Sequence, residues 1–221
     1  MGADTSGSSL LSPNGNFPVH APNPEKIESI NYIKVLLTEN KADLGIIFDA
    51  DVDRCFFIDE NGEAFSKSKL IALVSKLVLK SNEMLKAALR KDTETMVKIL
   101  EEAHDINIPV IKYNDENSLS CVVMLSYLSA RDEYTIIREM PSGKGFADFI
   151  FYPNNKSDPA FIIELKINSE PEIALQQIKE KRYALSLRDY TGKKLAVGIS
   201  YDKKLKNHKV KVEDIDQSYY I

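Results

Sequence analysis

Apolar and polar positions follow two different periods along the chain, and these periods predict where helices and strands lie. Apolar residues recur at helical spacing in four segments: 25–39, 69–79, 80–104 and 118–130. Asp92 and Thr93 are positioned to cap a second helix within 80–104. Short runs rich in β-branched and aromatic residues, typical of buried strands, lie at 43–48, 55–58, 134–139, 146–152, 160–167 and 194–201. The pattern therefore predicts an α/β protein.

Two of these apolar runs are predicted to form a hairpin. A polar turn at 154–158, bounded by Pro153 and Pro159, joins strand 146–152 to strand 160–167. The next helix is expected to begin with a capping box formed by Ser169 and Glu172, with Pro171 in its first turn. This helix is predicted to continue to about residue 187. From residue 118 onward the predicted order is α-β-β-β-α-β.

Three charged residues interrupt the apolar hairpin: Asp148 on its first strand, and Glu164 and Lys166 on its second. Because side chains alternate along a strand, Glu164 and Lys166 share one face and Leu165 points to the other. Asp148 can face the same side as Glu164. A buried carboxylate without compensation is costly, so these groups require one another, a metal ion, or both. A structural ion pair within the sheet is the alternative interpretation.

The same three residues resemble the D…(D/E)-x-K signature of the PD-(D/E)XK nuclease superfamily. The blocks GKGFADFIFYP, PAFIIELK, ALQQIKEKRYA and VGISYDKK are similar to the C-terminal nuclease-like domain of a bacterial family that usually also carries an AAA-ATPase-like half. The chain departs from the pattern at Ala147, where proline is usual. The resemblance covers about the last 140 residues, so 81–221 are predicted to form a restriction-endonuclease-like αβββαβ core.

The resemblance also implies a set of functional residues and a cofactor. Asp148, Glu164 and the carbonyl of Leu165 would bind Mg²⁺ or Mn²⁺, and Lys166 would orient or deprotonate a water or stabilise negative charge. Gln177 matches the helix motif of the family, although an ordinary polar position on an amphipathic helix is the alternative. Glu116 would assist the metal site, or else be a favourable charge at a helix N-terminus. Tyr183 is predicted to be a core residue.

A second acidic motif lies near the N-terminus, where Asp49, Asp51 and Asp53 alternate and Arg54 follows. Three carboxylates at this spacing converge readily on one cation, but Arg54 stands where a calcium-binding EF-hand loop requires glycine. The segments NGNFPVHAPNPEKIESI, ADLGIIFDADVDRCFFIDENGE and KLIALVSKL resemble the second domain of phosphomannomutase/phosphoglucomutase enzymes.

The mutase resemblance implies that Asp49, Asp51 and Asp53 form a magnesium loop with Arg54 beside it. Residues 1–80 are predicted to be a truncated α/β fragment of that domain. No phosphoserine loop or sugar-recognition loop like those of the family occurs in the chain, so this part is expected to bind metal without mutase activity.

Composition narrows the class of protein. Of the 221 residues, 43% are hydrophobic and 28% are charged, as in a soluble globular protein. The net charge of −4 argues against a general nucleic-acid coat protein. The two cysteines, Cys55 and Cys121, favour a reducing compartment over a disulfide framework. With neither a secretory signal nor an apolar run of about 20 residues, the sequence predicts a cytoplasmic protein that does not enter membranes.

Charge near the C-terminus suggests a polyanionic partner. Ten basic residues stand against only three acids in this segment: Lys179, Lys181, Arg182, Arg188, Lys193, Lys194, Lys203, Lys204, Lys206 and Lys209, against Glu180, Asp189 and Asp202. Such a stretch suits a nucleic-acid backbone, whereas a solvated helix face is the simpler interpretation. Few aromatic residues interleave these charges, so base stacking is not expected.

Three functional hypotheses follow from the sequence. The first is a Mg²⁺-dependent nuclease acting on DNA or RNA. The second is a relative of the phosphohexomutases, connected with carbohydrate metabolism. The third is a nuclease fold that serves as a non-catalytic binding module. Oligomeric state is not determined by these patterns.

Overall fold

A computed structural model describes residues 4–12, 14–107 and 116–220. The helices are α1 (Ile27–Asn40), α2 (Lys67–Arg90), α3 (Thr93–Asn107), α4 (Glu116–Ser126) and α5 (Pro171–Glu180). The strands are β1 (Leu44–Phe48), β2 (Cys55–Asp59), β3 (Tyr134–Ser142), β4 (Gly145–Pro153), β5 (Ala160–Ile167), β6 (Lys194–Asp202) and β7 (Asn207–Asp214). Among the described residues, no helix combines the length and apolarity needed to cross a membrane.

The chain forms two compact units, Met1–Val74 and Ser75–Ile221, and the boundary falls within α2. In the first unit, α1 packs against the two-stranded antiparallel sheet of β1 and β2. Among its described residues, only three apolar side chains are fully buried: Leu37, Ile47 and Ile58. So few buried apolar groups stabilise a folded unit weakly.

We expect the predicted halves to differ in independent stability. Residues 81–221 contain a five-stranded sheet with helices on both faces, so this half should unfold in one cooperative transition. Residues 1–80 should show no sharp transition, because a two-stranded sheet is marginal in water. Thermal melting of each separately expressed half, followed by circular dichroism, measures both. A cooperative transition from 1–80 alone would contradict the expectation.

The second unit is built on a sheet with strand order β3-β4-β5-β6-β7. All neighbours are antiparallel except β5 and β6, which are parallel and connected through α5. Together with α4, these elements confirm the predicted α/β class and the αβββαβ order. Strand β7 is an addition that the hydrophobic pattern did not predict, because Lys209 and Lys211 alternate with its partly buried valines, Val210 and Val212.

Both faces of this sheet carry a hydrophobic core. Phe149, Phe151, Phe161 and other residues of one face pack with residues of α2, α3 and α4. On the other face, Ile150 and Ile162 pack with residues of α5 and of the 3₁₀ turn Tyr183–Leu187. Since β5 is covered on both sides, any charged side chain along it is removed from water.

Two predicted helix ends differ in the structure. Helix α5 ends at Glu180, not near residue 187, because Arg182 adopts a left-handed backbone (φ 56°) and a 3₁₀ turn follows. The predicted capping box does not form. Glu170 is the N-cap residue, without a side-chain capping bond, and Glu172 instead pairs with Lys211 of β7 at 3.1 Å.

Other helix boundaries were predicted in part. Asp92 caps α3 as expected, accepting hydrogen bonds from the Thr95 amide (3.1 Å) and the Thr95 hydroxyl (2.7 Å). Helix α2 continues through residue 79 to Arg90, and α4 ends at Ser126 before a separate 3₁₀ turn, Leu128–Asp132. These ends depend on packing contacts more than on local periodicity.

A buried aromatic cluster joins α3 to β6 and β7. The ring of His208 lies 5.3 Å from that of His104 and 4.8 Å from that of Tyr201. Burial, and then the neighbouring His104, lowers the pKa of His208 from 6.5 to about 3. Between these two pH values the unfolded chain binds a proton that the folded chain excludes, so stability falls as pH decreases below about 6.5.

We therefore expect His208 to contribute acid sensitivity to the second unit. Between about pH 7 and pH 4 the wild type should lose roughly 2–3 kcal/mol of unfolding free energy through this residue. In His208→Phe this part of the loss should disappear, because phenylalanine does not titrate. Urea denaturation across a pH series measures the difference, with His20→Phe in the first unit as the control. Identical pH dependences for wild type and His208→Phe would contradict the assignment.

Candidate metal centre

Strands β4 and β5 separate where their charged residues lie. Their register holds for only three pairs: Phe149–Ile163, Ile150–Ile162 and Phe151–Phe161. Beyond Ile163 the Asp148 carboxylate takes the place of a backbone acceptor, and its Oδ2 accepts a hydrogen bond from the Leu165 amide at 2.7 Å. The Asp148 amide in turn lies 3.5 Å from Glu164 Oε2. The splayed strands therefore hold two carboxylates side by side.

An irregularity in β3 accompanies this separation. Glu139 has a positive φ of 48° and lies between the pairs Arg138–Phe149 and Met140–Ala147, opposite Asp148. A residue in this conformation interrupts the regular ladder and redirects the strand beside it. The sequence contains no glycine there to indicate the kink, so it was not predicted.

Lys166 extends into the space beside the carboxylates. Its Nζ donates to the Leu165 carbonyl at 2.8 Å, lies 3.3 Å from Glu164 Oε1 and reaches Glu116 Oε1 at 3.5 Å. Glu116 approaches from the first turn of α4. The structure thus brings together five residues that the sequence analysis singled out across a span of 50 positions. The Glu164 side chain is only 2% exposed, so this is an interior site and not a surface ion pair.

Gln177 and Tyr183 support Glu164 from the α5 side. Gln177 Nε2 donates a short hydrogen bond to Glu164 Oε1 and lies 3.2 Å from the Tyr183 hydroxyl. Tyr183 is buried, in agreement with the core prediction, but its hydroxyl also belongs to this chain of polar contacts. The positions of Gln177 and Tyr183 within the block ALQQIKEKRYA were the available signal for this pair.

The electrostatics of the site leave it short of positive charge. Burial, reinforced by the nearby Asp148 charge, raises the pKa of Glu164 to about 8. Burial also raises the pKa of Asp148. Burial opposes the charge on Lys166, but Glu164, Glu116 and Asp148 outweigh it, and the pKa of its ammonium group is raised. One ammonium group is thus the local counter-charge for two buried carboxyl groups.

These observations fit a hard divalent cation. The donor set consists of two carboxylates and the Leu165 carbonyl, and oxygen ligands of this kind suit Mg²⁺ and Mn²⁺. A bound cation would also hold Glu164 and Asp148 in their ionised forms, which burial alone disfavours.

A cavity of about 340 Å³ opens beside Asp148. Its lining includes Arg138, whose guanidinium donates to Ser120 Oγ at 2.8 Å and lies 5.6 Å from the centre of the Phe149 ring. None of the described carboxylates is within ion-pairing distance of Arg138. The cavity therefore contains a cation available to an anionic ligand. Sequence analysis missed Arg138 because it lies within strand β3, outside any motif.

The aspartate loop of the first unit forms a separate cluster. Ligand oxygens of Asp49, Asp51 and Asp53 all lie within 4.8 Å of one another, the one such group of three or more His, Cys, Asp or Glu among the described residues. Arg54 Nε lies 2.7 Å from Asp49 Oδ2 and 3.4 Å from Asp53 Oδ1. Arg54 is thus placed beside the aspartates. The all-oxygen set also suits a hard divalent cation.

Arg54 divides the charges of this loop unequally. Burial opposes ionisation of Asp49, but hydrogen bonds from Arg54 and Asp53 outweigh it and lower the pKa of Asp49. Its hydrogen bond with Asp49 raises the pKa of Asp53. One aspartate is therefore held as a carboxylate, and its neighbour shares a proton more readily.

The C-terminal basic stretch is less exposed to partners than its charge implied. Four of its ten cations pair with acids at 4 Å or less: Lys179 with Glu213, Arg188 with Asp189, Lys193 with Asp214, and Lys209 with Glu170. Three of these acids lie outside the three counted in the sequence. The structure thus supports the simpler interpretation for part of the stretch.

Comparison with known families assigns both halves of the chain. Residues 114–211 match the family model described as PD-(D/E)XK nuclease superfamily. Residues 8–62 match the model described as phosphoglucomutase/phosphomannomutase, alpha/beta/alpha domain II. The first match contains the Asp148–Glu164–Lys166 site, and the second contains the aspartate loop. Both predicted resemblances are confirmed.

Curated relatives resemble the N-terminal part. Phosphomannomutase of Methanocaldococcus jannaschii is 39% identical over 74 residues, which are 34% of this chain and 16% of the relative. Phosphomannomutase of Vibrio cholerae is 38% identical over 73 residues, covering 31% of this chain and 15% of the relative. The chain therefore joins a segment similar to domain II of the phosphoglucomutase/phosphomannomutase family to a domain similar to the PD-(D/E)XK nuclease superfamily.

Proposed function

We propose that the C-terminal domain is a divalent-metal-dependent phosphodiesterase that acts on nucleic acid. The observation that carries the proposal is the convergence of the Asp148 and Glu164 carboxylates, the Leu165 carbonyl and the Lys166 ammonium group where β4 and β5 separate. The match to the nuclease superfamily over 114–211 supports the same assignment.

Asp148, Glu164 and the Leu165 carbonyl would hold the metal ion. When bound, the ion supplies Lewis acidity, which lowers the pKa of a coordinated water and neutralises charge on a phosphate. Gln177 fixes the orientation of the Glu164 carboxylate by donating to it. Because Gln177 is itself held near Tyr183, the carboxylate is pre-positioned before substrate binds.

Lys166 has the properties of a hydrogen-bond donor more than those of a base. Its pKa is raised by the surrounding carboxylates, so the ammonium remains charged at neutral pH. It can orient an attacking water and stabilise the negative charge that develops on the phosphate. Arg138 in the adjacent cavity is positioned to bind a neighbouring phosphate oxygen through its remaining N–H groups.

A direct test uses the full chain with labelled DNA and RNA in Mg²⁺ or Mn²⁺. We expect cleavage that stops with EDTA and is lost in the Asp148→Asn/Glu164→Gln double variant. If the wild type binds nucleic acid but cuts neither DNA nor RNA with either metal, the binding-module hypothesis replaces the nuclease hypothesis.

The aspartate loop supports a second, more limited function. We propose that Asp49, Asp51 and Asp53 bind Mg²⁺ weakly, since their oxygens already lie within 4.8 Å of one another. Hexose phosphate isomerisation is not expected, because the chain spans about 15% of the phosphomannomutases it matches.

The loop can be isolated experimentally from the other site. In a chain carrying Asp148→Asn and Glu164→Gln, the remaining Mg²⁺ binding should disappear on Asp51→Asn, because a hard ligand is removed. Calorimetric titration measures this, and Glu60→Gln in the same unit is the control. Conversion of a hexose 1-phosphate to its 6-phosphate by the purified chain, abolished by Asp51→Asn, would contradict the limited role.

A further inference from the structure

The turn between β3 and β4 is fixed to the end of α5. The Lys144 amide donates to the Lys181 carbonyl at 2.8 Å, and Ser142 Oγ donates to the Tyr183 carbonyl at 2.7 Å. Gly143, at φ 54°, lies so close that an added β-carbon would be 1.9 Å from the Lys181 carbonyl oxygen. Two segments almost 40 residues apart in sequence therefore form one rigid surface.

This junction concentrates positive charge. Lys144 and Lys181 are exposed and Arg182 is partly exposed. None of the three forms an ion pair with a described carboxylate, unlike Lys179 and Lys209 nearby in sequence. Unpaired exposed cations in a cluster attract a polyanion and release its counterions on binding.

An aromatic ring lies on the same junction. Phe146, the second residue of β4, is 63% exposed, which is unusual for phenylalanine next to a packed sheet. It precedes Asp148 by two residues, which is about 7 Å along a strand. Because β4 and β5 are antiparallel, the start of β4 lies at the edge of the sheet where β5 ends with Lys166 and Ile167. The ring and the cations thus flank the candidate metal centre.

We infer that Lys144, Phe146, Lys181 and Arg182 form a docking surface for single-stranded nucleic acid. The three cations contact phosphates, and Phe146 stacks on a base next to the phosphate that enters the metal centre. Stacking requires an exposed base face, which a paired duplex does not offer at its side, so single strands are favoured over duplexes. The inference rests on the proposed function and specifies the form of nucleic acid that the site receives.

Binding without metal tests the surface separately from catalysis. The probe is a short fluorescein-labelled DNA strand of mixed sequence, alone or annealed to its complement, titrated with the full chain in EDTA and followed by anisotropy. We expect tighter binding of the single strand. Phe146→Leu, which keeps apolar bulk but removes the aromatic face, should weaken single-strand binding about 5- to 100-fold, whereas Phe146→Trp should restore it.

The cations have their own readout. Lys144→Gln combined with Lys181→Gln should reduce the slope of log affinity against log salt by about 0.7 for each phosphate that the variant no longer neutralises. Lys156→Gln, an exposed lysine in the turn at the far end of β4, is the matched control and should leave the slope unchanged. Circular dichroism melting verifies that each variant is folded.

The outcomes separate the two proposals. Equal single-strand affinity for wild type and Phe146→Leu, or tighter binding of the duplex, overturns the docking surface while leaving cleavage as an independent question. Phe146-dependent binding without cleavage in Mg²⁺ or Mn²⁺ supports the surface and overturns the nuclease assignment. Absence of binding to either probe, with no cleavage, overturns both.

Discussion

Removal of either carboxylate of the metal centre is expected to abolish both metal binding and cleavage, whereas removal of the Lys166 side chain should abolish cleavage alone. Asp148→Asn and Glu164→Gln each remove a charged oxygen ligand, and hard divalent cations depend on such ligands for affinity. Lys166→Ala removes a positive charge that lies 3.3 Å from Glu164. Metal affinity in this variant should therefore remain or increase, while the cleavage rate falls by roughly 10²-fold or more.

Calorimetric titration with Mn²⁺, paired with a cleavage assay, reads both quantities for each variant. Glu133→Gln, an exposed acid just before β3, is the control and should change neither. A Lys166→Ala protein that cleaves at the wild-type rate would refute the role assigned to this lysine. Metal affinity unchanged by both Asp148→Asn and Glu164→Gln would place the binding site elsewhere.

Gly198→Ala is expected to destabilise the second unit and to impair the site through its helix. Gly198 lies on β6 directly beside Glu164 of β5. An added β-carbon would be 2.3 Å from the Pro171 carbonyl oxygen and 3.2 Å from the Ala174 β-carbon. Because these are atoms of α5, the helix must move away from the sheet, at a cost of about 1–3 kcal/mol or more. Gln177 on the same helix would then lose its position against Glu164.

Urea denaturation measures the decrease in stability, and cleavage at low temperature measures the effect on the site while the variant remains folded. Gly15→Ala is the control, since nothing lies within 4 Å of its added β-carbon. An unchanged denaturation midpoint for Gly198→Ala would show that α5 accommodates the methyl group, contrary to the expectation.

Local patterns determined the elements and the chemistry of the site. The runs at 146–152 and 160–167 are apolar enough that both are strands in the structure, so the charges at 148, 164 and 166 stood out as costly exceptions. Strand alternation then placed Glu164 and Lys166 on one face. Such inferences depend only on the two-residue repeat of a strand and on desolvation, which are properties of short segments.

Some local signals led to wrong predictions, because packing outweighed them. Ser169 and Glu172 have capping-box spacing, but Glu172 pairs with Lys211 on β7, a strand whose alternating lysines concealed it. The helical pattern continues beyond Glu180, but the left-handed Arg182 turns the chain so that Tyr183 and Leu187 enter the core. Burial of large apolar side chains exceeds the small free energy of extending a helix by a turn.

Only the tertiary structure decided how distant residues meet. The separation of β4 from β5, the approach of Gln177 to Glu164, and the position of Arg138 in the cavity all arise from contacts between different elements. The sequence predicted little base stacking, because few aromatic rings interleave the basic stretch. Folding nevertheless brings the β3–β4 turn, with Phe146 just after it, against Lys181 and Arg182, since Gly143 fits closely at the end of α5. Such long-range packing has no counterpart in the periodicity of a single segment, and it therefore becomes visible only in the folded chain.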